Sequence, residues 1–258
     1  RFVAPVDCAV DAARQRVLVL DAGARRLESW RLAREPDAPP EYDRRMGRLV
    51  RALDLASPDD SGIDPRAVAC DAGGRAYVVD AAQAAVLVLD RDLQIVGRWG
   101  GGDVLSAPID VAVLPPADGG GQRVVVLDRD LLALHVFSPD GVPLARWPLG
   151  PPAGPHAPDP VAVLALGDGF VVNRGGGLLA RYDSEGARDG ALTAQIAPEA
   201  VGSPGSVGGN GDGAPAPAPP GFAAPGELLD AGNHLYLLEP GRRRGQVLDR
   251  KGRFLLMF

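Results

Sequence analysis

Five short runs rich in β-branched residues, each ending in an acid or amide, with a large apolar residue nine positions later and a proline opening each unit, predict an all-β chain. The fold class these repeats predict is a β-propeller of four-stranded antiparallel blades, with five blades visible in the sequence. A length of 258 residues accommodates this as a single propeller domain over 1–258. Ring closure then falls to blade packing or to a sixth blade outside the sequence.

The second strand of each blade is read from Val17–Asp21, Tyr77–Asp80, Val124–Asp128, Phe170–Asn173 and Leu235–Glu239. Nine residues on stand Trp30, Leu89, Phe137, Tyr182 and Leu248, which mark the third strands. A polar turn follows in four units, at Asp90–Asp92, Ser138–Gly141, Asp183–Gly186 and Asp249–Gly252. Six residues beyond Leu93, Gly141, Gly186 and Gly252 lie Trp99, Trp147, Leu192 and Phe258, in the fourth strands. The first unit keeps the same step from Gly47 to Leu53 once 33–46 is read as an exposed insertion. Pro5, Pro65, Pro108, Pro160 and Pro225 open the first strands, at intervals of 43 to 65 residues. In those strands Asp7, Ala9, Ala67, Ala69, Asp110 and Ala112 alternate with larger apolar residues, a period of two that gives the strand distinct faces. Small residues suit the innermost, most crowded strand, and the aromatic residues and Leu at the later marks fill the space between blades.

The acid that closes each second strand is placed to accept amide hydrogen bonds from the turn that follows, and the later Asp-x-x-Gly supplies the next hairpin. Most Asp residues are therefore turn formers. Residues 197–225, rich in Gly, Pro, Ala and Ser without periodic apolar positions, are read as a loop excursion.

The composition, 46% hydrophobic and 23% charged, is that of an ordinary globular protein. Against 33 acidic residues stand 27 basic ones, a net charge of −6 that disfavours nucleic acid as the main partner. Of the basic residues only Lys251 is lysine, and Asn and Ile are scarce, a bias that suits a GC-rich coding sequence and also inflates Gly and Pro. Glycine runs such as 100–102 and 119–121 therefore carry little weight, and they lack the Lys and helix of a phosphate loop. No apolar run approaches the roughly 18 residues of a membrane span. No charged-then-apolar leader follows Arg1. The compartment stays open. Cys8 and Cys70 are too few for a disulfide scaffold and are read as small buried hydrophobes.

The Pro-x-x-Val-Ala-Val openings and the run from Val17 through Asp21, Gly23 and Arg26 to Trp30 resemble NHL repeats, and the resemblance spans nearly the whole chain. It implies a rigid propeller whose variable loops present binding faces, a non-catalytic protein-interaction or structural scaffold with a protein partner or a larger assembly. Related propellers imply two alternatives. One is a metal-dependent hydrolase or lyase, lactonase-like, working at the central channel, and the other is a structural subunit of a phage-tail-like assembly.

Candidate sites are few. His135, His156 and His234 fall at unrelated levels of the repeat and do not form a shared zinc site. No Gly-x-Ser-x-Gly elbow supports a serine nucleophile. Two positions after the opening proline stand Asp7, Ala67, Asp110, Ala162 and Glu227. Asp7, Asp110 and Glu227 are the candidate ligands for a hard cation such as Ca²⁺ in the channel, or else acids solvated at its mouth. Arg242, Arg243 and Arg244 form the one dense basic run, a solvated hairpin tip or a docking point for an anionic partner.

Overall fold

The computed structural model describes residues 2–31, 48–55, 62–116, 120–150, 160–174, 179–189, 228–231, 234–239, 244–249 and 254–257. The expected excursions at 33–46 and 197–225 lie outside them. The chain divides into two compact units, Arg1–Gly150 and Pro151–Phe258. The fold is all-β, of the β-propeller type, built from antiparallel sheets in which consecutive strands pair in meander order. The one helical element among the described residues is the 3₁₀ turn Ala12–Arg14.

In the first unit, sheet 1 comprises β1 (Pro5–Asp11), β2 (Arg16–Asp21), β3 (Arg26–Arg31) and β4 (Arg48–Asp54). Sheet 2 comprises β5 (Pro65–Cys70), β6 (Ala76–Asp80), β7 (Ala85–Leu89) and β8 (Ile95–Gly100). Sheet 3 comprises β9 (Pro108–Leu114), β10 (Arg123–Asp128), β11 (Ala133–Phe137) and β12 (Pro143–Pro148). Pro5, Pro65 and Pro108 are the first residues of their strands, where a missing N–H costs nothing to the ladder.

In the second unit, sheet 4 has β13 (Ala162–Leu166), β14 (Gly169–Asn173), β15 (Leu179–Tyr182) and β16 (Arg188–Asp189). Sheet 5 has β17 (Leu228–Ala231), β18 (His234–Glu239), β19 (Arg244–Asp249) and β20 (Phe254–Met257). Five complete blades are not what the structure holds. Four sheets carry a full outer strand, whereas sheet 4 is three strands with the two-residue stub β16. Only Arg181–Asp189 and Tyr182–Arg188 pair there, and the expected mark Leu192 lies outside the described residues. After the turn the described residues Ala187, Arg188 and Asp189 offer one small apolar side chain and two charged ones to the sheet. Pro160 stands two residues ahead of β13, and Pro225 and Phe258 lie outside the described residues.

Sheet 2 shows why the apolar runs are continuous rather than alternating: both of its faces are covered. Val78, Leu87 and Leu89 pack with Leu18, Leu20 and Leu27 of sheet 1. Tyr77, Val79, Val86 and Val88 pack with Val124, Val126 and Phe137 of sheet 3. Each such side chain contributes about 1.5–3 kcal/mol by leaving water.

The acids that close the second strands are buried, with Asp21 1%, Asp80 2% and Asp128 0% exposed. Asp21 accepts the turn amide of Ala24 at 2.9 Å, as expected, and Asp128 that of Leu131 at 3.0 Å. Each also ties down the segment that enters its own first strand. Asp21 accepts from Val3 and Ala4, Asp80 from Asp64, and Asp128 from Ser106 and Ala107. Burial pushes the Asp21 carboxyl up, yet the amides of Ala4, Val3, Ala24 and Gly23 outweigh it and hold it below its ordinary value. The third-to-fourth-strand turns use a second acceptor: Asp90, Ser138 and Asp183 each take two amides of their own turn.

Candidate functional site

Asp7 lies in β1, where its carboxylate accepts the Cys8 amide at 2.7 Å and reaches sheet 2 to accept the Val68 amide at 2.6 Å. The innermost strand of a sheet has an unpaired edge, and a carboxylate at this register satisfies an amide of the neighbouring edge. Asp110, at the same register of β9, accepts the amide of Val111 at 2.8 Å. Glu227 lies outside the described residues. Among the described residues no three His, Cys, Asp or Glu side chains gather as a cation site. Arg242 and Arg243 also lie outside the described residues, and Arg244 opens β19, where it pairs with Glu239.

His135 sits in β11, 7% exposed, with Nε2 lacking a hydrogen-bond partner and its ring stacked beside Phe137. Burial lowers its basicity, and Arg146 adds to this against the opposing pull of Asp128. His234 opens β18, and His156 lies outside the described residues. Cys70 is half-buried and its thiol is pushed up to about 12, chiefly by burial, so it is inert at neutral pH. Cys8, expected to be buried, is exposed: β1 turns Cys8 and Val10 away from the cluster that Ala9 joins.

A set of arginines not singled out from the sequence stands five residues ahead of the strand-closing acids: Arg16, Arg75 and Arg123 precede Asp21, Asp80 and Asp128 by that spacing. Arg16 spans sheets 1 and 2. It donates to Asp11 at 2.9 Å, to the Gly74 carbonyl at 3.1 Å and to the Arg91 carbonyl at 2.7 Å. Arg75 spans sheets 2 and 3 by pairing with Asp140 at 3.0 Å. The fixed offset in the repeat was the available signal.

A cleft of about 220 Å³ opens beside the Arg75–Asp140 pair. Its apolar lining comes from Val88, Val96, Trp99 and Pro139, with Gly97 among them. A Cβ on Gly97 would touch only Val88, at 3.8 Å, so the missing side chain leaves room. Trp99 is held on the other side by Phe137, with ring centroids 4.5 Å apart, and by Gly141, whose φ of +85° and contact with the indole exclude a side chain there. The indole Nε1–H is buried without an acceptor.

Val96 is the extra residue of a β-bulge. Gly97 pairs with Val88 and Ile95 with Leu89, leaving Val96 unpaired. Val50, Leu144 and Leu255 occupy the same bulge in β4, β12 and β20. Val50, Val96 and Leu144 are 54%, 58% and 54% exposed, so the outer edge of each sheet in the first unit carries an aliphatic side chain in water.

No family model matches the sequence, and no curated protein matches it. Solved structures do. Streptogramin B lyase matches over 99% of this chain and 68% of its own, with TM-score 0.61 and 10% identity. A catalytically inactive virginiamycin B lyase from Staphylococcus aureus, solved with quinupristin, matches over 97% and 68%, with TM-score 0.59 and 13% identity. A protein of unknown function from Bacteroides caccae matches over 98% and 81%, with TM-score 0.57 and 12% identity. At these identities the likeness establishes the β-propeller fold, and a fold shared by 694 matching chains does not carry an activity.

Proposed function

We propose that this protein is a non-catalytic, NHL-like propeller module that presents rigid surfaces to a protein partner. The observation that carries this is the use made of its acids. Asp11, Asp21, Asp71, Asp80 and Asp128 are buried and each accepts hydrogen bonds that join strands, turns or sheets. Asp7 and Asp110, the described members of the candidate cation set, are engaged by backbone amides as well. Carboxylates committed in this way set the frame and leave the edges between sheets as the surfaces free to vary.

The alternative is lyase chemistry of the kind named for two structural neighbours, and one pair of measurements separates them. The protein is incubated with quinupristin and a divalent cation and followed by chromatography, and its thermal midpoint is read with Ca²⁺, Zn²⁺ and chelator. The module reading expects unchanged quinupristin and a midpoint indifferent to metal. A new product formed from quinupristin, or a metal-dependent rise lost in Asp7→Asn/Asp110→Asn, overturns it.

A further inference from the structure

We infer that the face of sheet 1 turned away from sheet 2 is a dimer interface, on which a second copy of this chain seats the same face about a two-fold axis. This goes beyond the module reading and does not rest on it.

Register defines the face. Leu18, Leu20 and Leu27 pack toward sheet 2, so Val17 and Val19, which alternate with them in β2, point the other way. Opposite residues on neighbouring strands share a face, which adds Cys8 and Val10 of β1, Glu28 and Trp30 of β3 and Leu49 of β4. The equivalent positions of the next two sheets show what such a face is built to meet. Cys8 and Val19 correspond to Val68 and Val78 in sheet 2 and to Val111 and Val126 in sheet 3, all at most 5% exposed, because the preceding sheet lies over them. In sheet 1 these positions are open. Cys8 is exposed, Val10 is 62% exposed, and Val17, Val19 and Trp30 are only half-buried.

Three observations favour a second copy as the cover. The face takes care of its own charges: Glu28 accepts from Trp30 Nε1 at 2.9 Å and has Arg26 at 3.8 Å, and Arg26 donates to Asp54 at 2.9 Å. An identical face laid on it therefore buries valine and tryptophan without stranding a charge. The corresponding faces of the other described sheets are closed, with Val79, Leu127 and Val172 fully buried in sheets 2, 3 and 4. Among the described side chains, the open face that a second copy can offer is thus this same one, and pairing it with itself leaves none over, so association stops at two. Area decides the strength. Four strands about 4.8 Å apart and about 20 Å long give a footprint of roughly 400 Å² per copy before side-chain relief is counted. Two copies then bury on the order of 1,000 Å², the lower end for a specific pair, which points to a reversible dimer in roughly the micromolar range.

The test is sedimentation velocity of the whole protein from about 1 to 500 µM, with the rate of Cys8 alkylation by iodoacetamide read at each concentration. The Cys70 thiol, pushed up to about 12, does not compete. Wild-type protein is expected to pass from monomer to dimer, with Cys8 alkylation slowing in step. Val10→Arg, at an exposed site of the face, should weaken the dimer about tenfold or more, and Leu144→Arg, at the exposed bulge of β12, should leave it unaltered. If Val10→Arg lowers the yield of folded protein, Cys8→Arg on the same face gives the same sedimentation reading. A monomer at every concentration overturns the inference, whether Cys8 reacts quickly or is already shielded within one chain. So does a dimer that survives Val10→Arg and Cys8→Arg, one that Leu144→Arg disrupts equally, or an assembly that grows beyond two.

Discussion

The junction of sheets 1 and 2 and the junction of sheets 2 and 3 are built from the same repeat positions and end up as opposite surfaces. At the first, Arg16 is 11% exposed and bonds to Asp11, Gly74 and Arg91, and the position after the bulge is Arg51. At the second, the equivalent Arg75 makes an exposed ion pair with Asp140 and a hydrogen bond with the buried Tyr77 hydroxyl, and the position after the bulge is Gly97. The apolar cores beneath are alike, Leu-rich in one and Val-rich with Tyr77 and Phe137 in the other. A repeat thus fixes the frame and leaves two outer positions to decide whether a junction is sealed or open.

The largest expected break in this comparison is Phe137→Ala. Phe137 is 2% exposed, anchors the core of the second junction and supports Trp99 at 4.5 Å. Loss of a buried Phe costs about 3–5 kcal/mol. Thermal denaturation should show the fall, and Trp99 should lose its fixed environment in near-ultraviolet circular dichroism. A small fall with an unaltered Trp99 signal would mean that the ring is held from elsewhere.

Next in size is the pair Arg16→Ala and Arg75→Ala. Removing Arg16 leaves two carbonyls and part of the Asp11 carboxylate without their donor, a cost of about 1–3 kcal/mol. Removing Arg75 breaks an exposed pair, 44% and 79% accessible and worth about 0.2–1 kcal/mol, and takes one partner from the Tyr77 hydroxyl, which keeps Asp71 at 3.2 Å. Denaturant midpoints of the two variants should rank in that order. Equal losses would show that both junctions are strapped alike and that the cleft is not an open surface.

Much of this frame was legible in the sequence, because the strand-closing acids, the large residue nine positions later and the turn acceptors report local backbone requirements that recur at fixed spacing. Each second strand starts and stops within a residue of its expected place, as β6 and β14 do. The candidate site was much less legible. Asp7 looked like a channel acid because its spacing from Pro5 matches that of Asp110, yet its partner is the Val68 amide, 61 residues away, which no local pattern reveals. The cleft was hidden for a related reason. It depends on what is absent at Gly97, and in a chain with 34 glycines one more glycine carries no signal.

Acid should separate the junctions by a smaller amount. His135, in sheet 3, has its basicity lowered below the usual 6.5, first by burial, so the unfolded chain takes up its proton before the folded one does. Its contribution is whole above the unfolded value and is lost as pH falls through the depressed folded value. Asp21, in sheet 1, is also depressed, below 3.8, so its contribution persists to lower pH and is lost as pH falls through its own folded value. Stability measured against pH should fall first in a step that His135→Leu removes, and later in a step that Asp21→Asn removes. A single step near the carboxylate range, unchanged by His135→Leu, would place the histidine outside the packing of sheet 3.

The smallest expected effect tests whether the two frames really are alike beneath their different surfaces. The turn between second and third strands places Arg25, Ala84 and Leu132 at φ of +50°, +47° and +44°, four residues after Asp21, Asp80 and Asp128. A side chain in this left-handed region costs about 1–2 kcal/mol, which glycine avoids. Glycine gives back about 0.4–1 kcal/mol through the greater freedom of the unfolded chain. The net gain is therefore about 0.5–1 kcal/mol, a rise of roughly 1–4 °C in melting midpoint for a chain of this size. Ala84→Gly carries almost no side-chain loss and should show the gain cleanly. Arg25→Gly should match it, since the Arg25 and Ala84 carbonyls both receive an amide from the end of the fourth strand, Leu55 and Gly101, at 2.8 Å. A gain at Ala84 with a loss at Arg25 would mean that the Arg25 side chain takes part in the first junction. The sealed and open surfaces would then differ in their hairpins as well as at the two outer positions, and the frame would no longer be common to both.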